Sequence, residues 1–195
     1  IRELTPVWLG ALAPFGMILA WPRHRGWPTI WLHFAACYAV LATMVAEPYV
    51  NHVPTMIGGV GHDQLKRFYK YHFIGENPPD TELVPISRTV GTDQIVDEML
   101  FKFTHTSEID WMLPGVKPTG EKVEVPLIAI VRFVDGKVAH EHIYWDQASV
   151  LVQVGLLDPA GLPVAGVETA LKVVDTTRPS NELMTRWGDS AGKPI

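Results

Sequence analysis

The strongest constraint on the fold lies in one stretch, Gly136 to Leu157, where alternation along a strand gives way to helical spacing. Alternation places His140, His142, Tyr144 and Asp146 on one strand face, and Ala139, Glu141, Ile143 and Trp145 on the other. Beyond Asp146, the residues Val150, Leu151, Val154 and Leu157 fall on one apolar stripe of a helix. Asp146 therefore stands where the strand becomes a helix. Just upstream, Asp135-Gly136 is a two-residue hairpin signal, so a strand over Lys122 to Val134 is expected to pair antiparallel with the one that follows.

Further strands are expected over Glu82 to Val90 and Gln94 to Glu108, the second with Met99, Phe101, Phe103 and His105 on one face. A loop rich in turn residues, Leu113 to Gly120, separates these strands from the closing hairpin. Earlier in the chain, prolines make Glu47 to Pro54 an extended segment. Gly58-Gly59 is expected as a turn, and Leu65, Phe68, Tyr69 and His72 form the inner stripe of a helix over Asp63 to Phe73. A short helix is expected over Val167 to Val174, and a polar tail from Thr176. A chain of 195 residues fits one domain with additional segments.

The segments DGKV (135–138), EHIYWD (141–146) and LVQVGLL (151–157) resemble the close of the SnoaL-like polyketide cyclase domains of the NTF2-like superfamily. The Pro118-Thr119-Gly120 loop before a long strand is similar to that family too. The resemblance implies an α+β NTF2-like cone over residues 29–157, a curved, mainly antiparallel sheet wrapped around helices with an internal cavity. Residues 1–28 then form an atypical apolar N-terminal segment, and 158–195 a C-terminal extension and tail. The implied activity needs no cofactor and no metal: proton transfer on a small carbonyl compound, as in an aldol cyclisation, a lyase step or an isomerisation. By the same resemblance Asp146 is the acid/base, and His142 and Tyr144 polarise the substrate oxygen. Asn51 and His52 orient the substrate, and Tyr49, His105 and His140 line the cavity. Two alternatives stay open: a non-catalytic ligand-binding or dimerisation module, and a hydrolase, since some relatives carry a dienelactone-hydrolase name.

Read from the residues alone, Asp146 is better suited to cap the helix that follows it. The pair His140 and His142, with Asp146, has the donor types of a metal site, but no later histidine completes a cupin-like second motif. Gly188-Asp189-Ser190-Ala191-Gly192 spells a nucleophile elbow, yet only Lys193, Pro194 and Ile195 follow, leaving no place for the other triad members. Cys37 has no basic neighbour to lower its pKa and reads as a core residue.

Sixteen basic and twenty-one acidic residues give a net charge of −5 without a basic stripe, which argues against nucleic acid as a partner. A single cysteine fits a reducing, cytoplasmic compartment. Leu4 to Pro22 and Gly26 to Ala46 carry no Asp, Glu, Lys or Arg. Three readings apply to this region: a non-native or misread N-terminus, a buried or dimer-covering first helix starting near Thr29, or a membrane anchor. Leu41-Ala42-Thr43-Met44-Val45 resembles the end of the first helix of the SnoaL-like domain. A homodimer through the outer sheet face is expected, with Ile143 and Trp145 pointing away from the cavity and needing a cover.

Overall fold

The computed structural model describes residues 40–195. The first helix expected from Thr29, the three readings of the N-terminal region, the atypical segment 1–28 and Cys37 lie outside the described residues, apart from a helical end at 40–42. Among the described residues no helix is long and apolar enough to cross a membrane.

Six strands form one open, curved mixed sheet: β1 (Met44–His52), β2 (Ile57–Val60), β3 (Glu82–Val90), β4 (Gln94–Thr104), β5 (Lys122–Val134) and β6 (Lys137–Trp145). Their order across the sheet is β2-β1-β6-β5-β4-β3. Every neighbouring pair is antiparallel except β1 and β6, which run parallel. Helix α1 (Gly61–Phe68) continues into one π-helical turn (Tyr69–Phe73), and α2 (Gln147–Gln153) and α3 (Glu168–Val174) follow the sheet. This is the NTF2-like α+β architecture.

One face of the sheet is the core. On β5 the inward residues Val123, Val125, Leu127, Ala129, Val131 and Phe133 alternate with more exposed ones, as a half-covered strand requires. Leu65 and Phe68 of α1, with Phe73 of the π-helical turn, complete the core from the helical side. At the other end, Val150 and Val154 of the α2 region are fully or nearly fully buried, which realises the apolar stripe read from the sequence.

Which face of β6 turns inward is decided by a bulge. Phe133 pairs with Val138, but Arg132 pairs with His140, so Ala139 is the extra residue on β6. Strict alternation from the buried Val138 would carry His140 and His142 into the core. The bulge instead turns Glu141, Ile143 and Trp145 inward and His140, His142 and Tyr144 outward. This corrects the expectation that the histidine face lines the interior, and with it the reason for placing Ile143 and Trp145 in a dimer contact: they are 1% and 8% exposed within the fold.

Three local expectations are also corrected. Gly58-Gly59 belongs to β2, and the turn of that hairpin is at 53–56, with Met56 in the left-handed region at φ 58°. A Cβ on Gly58 would lie 2.0 Å from the Val50 carbonyl oxygen, so glycine is required by the close approach of the two strands. Met44 and Val45, expected at the end of the first helix, already belong to β1. Strand β4 ends at Thr104, because Asp80 accepts the Thr104 backbone N–H and side-chain hydroxyl, and His105 opens the next loop.

Candidate functional site

The inward face carries polar side chains at positions that its apolar neighbours define. In one row, Val50, Glu141, Val131 and Ile95 lie side by side across β1, β6, β5 and β4. The next row is His52, Ile143, Ala129 and Asp97. Glu141, itself half-buried, is thus set between two buried valines, and no described residue donates a hydrogen bond to its carboxylate. Desolvation pushes its carboxyl up from 4.5 to about 7. Asp97 differs, since Arg88 donates to it at 2.6 and 3.3 Å and holds it as one half of an ion pair at the sheet edge.

His52 is 1% exposed and caged by four aromatic rings, those of Phe68, Phe73, Trp111 and Trp145, at centroid distances of 4.8 to 6.1 Å. Its Nδ1–H donates to the Ile57 carbonyl at 3.0 Å, which leaves Nε2 as a lone-pair acceptor. That nitrogen has no partner among the described residues. Burial drives the imidazole pKa down to about 4, against the smaller opposing effect of the Ile57 hydrogen bond, so the ring is neutral near pH 7. Trp111 is fixed in turn by donation from Nε1 to Asn77 at 2.9 Å, and Trp145 by donation to Gln147 at 2.6 Å.

The remaining sequence candidates fall in three places. Tyr49, His140, His142 and Tyr144 come together on the outer face: His140 stacks on His142 at 4.6 Å, and Tyr49 meets His142 edge-on at 5.5 Å. Burial, His142 and Arg132 lower the His140 pKa, in that order. Asn51 sits in the same outer layer, paired in register with His142. His105 is fully buried at the end of the β4 face, bound through Nδ1 to the Thr119 backbone N–H at 3.3 Å, and burial lowers its pKa. Asp146 is exposed at the N-terminus of α2, where its Oδ1 accepts the backbone N–H groups of Ala148 at 2.9 Å and Ser149 at 3.2 Å. Helix capping is therefore its visible work.

Glu141 is not among the sequence candidates, because it is the one charge on a strand face that reads as outward. The usable signal was its company: a lone carboxylate alternating with Ile143 and Trp145 belongs to the buried side. Among the described residues no group of three His, Cys, Asp or Glu side chains converges as a metal site.

The sequence model of the SnoaL-like polyketide cyclase family matches residues 35–154. The chain belongs to the SnoaL-like polyketide cyclase family. Solved structures agree on the fold. TsrD from Streptomyces laurentii superposes with a TM-score of 0.54 at 15% identity, over 78% of this chain and 98% of its own. A protein of Acidithiobacillus ferrooxidans, provisionally named a polyketide cyclase, gives 0.55 at 16% identity over 79% and 98%. A protein with a ketosteroid isomerase-like fold from Catenulispora acidiphila, solved with trimethylamine, gives 0.51 at 14% over 75% and 93%. No curated protein matches the chain in sequence.

Within this SnoaL-like domain the cap at Asp146 is a stability element. Asp146→Ala is expected to lower stability by about 1 kcal/mol, as for other N-cap deletions. Thermal unfolding of the variant against wild type checks this, and an unchanged midpoint would remove the capping role.

Proposed function

We propose that this SnoaL-like domain is a cytoplasmic enzyme that moves a proton on a small carbonyl compound, in an aldol cyclisation or an isomerisation, with Glu141 as the proton carrier. The observation that supports this is the environment of Glu141: a carboxylate without a donor partner, desolvated on the inward sheet face until it titrates near neutrality. A group tuned in this way can accept a proton from carbon and return it with little free-energy cost in either direction.

In this mechanism the ionised Glu141 removes a proton next to the substrate carbonyl, and the C–H electron pair becomes the enolate. The enolate then attacks a second carbonyl carbon, or is reprotonated at another carbon by the Glu141 carboxylic acid. His52 lies diagonally across the same face, one row away on the parallel neighbour of β6. Its neutral imidazole cannot serve as a cationic donor, so we assign it to accept a hydrogen bond at Nε2 from a substrate hydroxyl. Asp146 and His142, the acid/base and donor implied by the family resemblance, are assigned supporting roles from outside: Asp146 through the α2 cap, and His142 with Tyr49, Tyr144, His140 and Asn51 through the outer layer. His105 is assigned to hold the Thr119 loop.

Glu141→Gln keeps the shape and removes the basicity, so it is expected to cost roughly 10²- to 10⁴-fold in kcat on any carbonyl substrate the wild type converts. Wild-type kcat/KM should rise with pH through about 7 as Glu141 ionises, and this rise should vanish in the variant. A raised carboxyl pKa also means that the folded state binds its proton more tightly than the unfolded state. Wild-type stability should therefore fall between about pH 4.5 and 7, and Glu141→Gln should remove that slope. Unchanged turnover would leave the ligand-binding module as the better reading.

The outer face supports a homodimer on different residues from those expected in the sequence. Tyr49 and Tyr144 are 37% and 39% exposed there, beside the half-buried Ile128 and Ile130. An aromatic and aliphatic sheet face of this kind is suited to a second copy. Light scattering at micromolar concentration is expected to give a dimer that Tyr144→Glu dissociates, and a wild-type monomer would contradict it.

A further inference from the structure

A pocket of about 520 Å³ opens at the free edge of the sheet, between β2, α1 with its π-helical turn, and the β4–β5 loop. Its floor is apolar, formed by Ile57 and Phe68, and its polar wall holds Gln64, Arg67, His72 and Asp110. These groups are not equivalent. His72 Nδ1 donates to Asp110 at 3.2 Å, so that carboxylate is already engaged. Gln64 accepts the Val60 N–H through Oε1 at 3.0 Å, which fixes the amide with its NH₂ end left to donate. Arg67, one turn further along α1, is exposed and has no hydrogen bond or ion pair among the described residues.

The pocket therefore offers a guanidinium unpaired among the described residues and a pre-set amide donor above a hydrocarbon floor. The π-helical turn at Tyr69–Phe73 sets where His72 emerges beside Asp110, and such turns recur at functional positions. A guanidinium pairs best with a planar oxyanion, which it can hold through two parallel N–H donors. Burying the rest of the ligand then calls for an apolar body of modest size.

We propose that this edge pocket binds a small organic monocarboxylic acid, with the carboxylate on Arg67 and Gln64 and the hydrocarbon part on Ile57 and Phe68. The site is separate from Glu141 and shares no lining residue with the row that holds it. It adjoins the cage of His52, because Phe68 is both pocket floor and cage wall, with its ring 5.5 Å from the imidazole. A bound acid thus touches the back of the catalytic face without entering it.

The test is an NMR titration of the full chain with phenylacetate, followed at the Gln64 side-chain amide and the His72 ring. Saturable shifts at both groups are expected below about 10 mM, with phenylacetamide, the neutral analogue, binding roughly 10-fold or more weakly. Arg67→Gln should weaken phenylacetate about 10- to 100-fold, while its melting temperature stays at the wild-type value because Arg67 is exposed. Glu141→Gln should bind phenylacetate as wild type does. The proposal is overturned if phenylacetate gives no saturable shift, if phenylacetamide binds equally well, or if Arg67→Gln changes nothing. Loss of binding in Glu141→Gln would overturn it too, by placing the acid on the inward face, and would leave the reading of Glu141 itself intact.

Discussion

The site depends on the parallel pairing of β1 with β6, held in register by Val50 against Glu141 and His52 against Ile143. Parallel neighbours cannot be joined by a tight turn, so everything from β2 to β5 is inserted between the two strands in sequence and wraps round to bring them together. That closure puts a carboxylate and an imidazole, 89 residues apart in the chain (141 − 52), on adjacent strands of one face. A slip of one residue would exchange Glu141 for His140 or His142 and leave no carboxylate of β6 inside. The bulge at Ala139 is what fixes the choice.

Both groups are energetically costly where they stand, and the surrounding packing offsets the cost. Burying a carboxylate without donors raises its pKa, and burying an imidazole lowers its own, so at neutral pH the inward face shields a half-ionised acid and a neutral base. The aromatic cage holds His52 by shape and by a single hydrogen bond to Ile57, with Trp111 and Trp145 anchored to Asn77 and Gln147. Polar groups left without partners in a well-packed interior are where a fold gives up stability for chemistry.

The fold was legible because its signals are local and repeated. Strict alternation fixed β5 to the residue, Asp135-Gly136 fixed the hairpin, and the Val150 and Val154 stripe fixed the helix after Asp146. The orientation of β6 was less legible. The sequence divides its residues into two faces correctly, but which face is inside depends on the pairing with β5 and on a bulge that leaves no compositional mark. His52 was singled out and is central to the interior. Asn51, its neighbour, points the other way because alternation separates adjacent residues of one strand. Gly58-Gly59 reads as a turn because glycine serves turns and close strand contacts alike, and only the lack of room for a Cβ against the Val50 carbonyl tells them apart.

Glu141 is the centre of this account, and its titration tests it most directly. A site-resolved carbon NMR titration of the Glu141 carboxyl in the full chain is predicted to give a midpoint near 7, displaced from the ordinary 4.5 by burial. A midpoint at the ordinary value would show a solvated carboxylate, and would contradict both its place on the inward face and its role as the proton carrier.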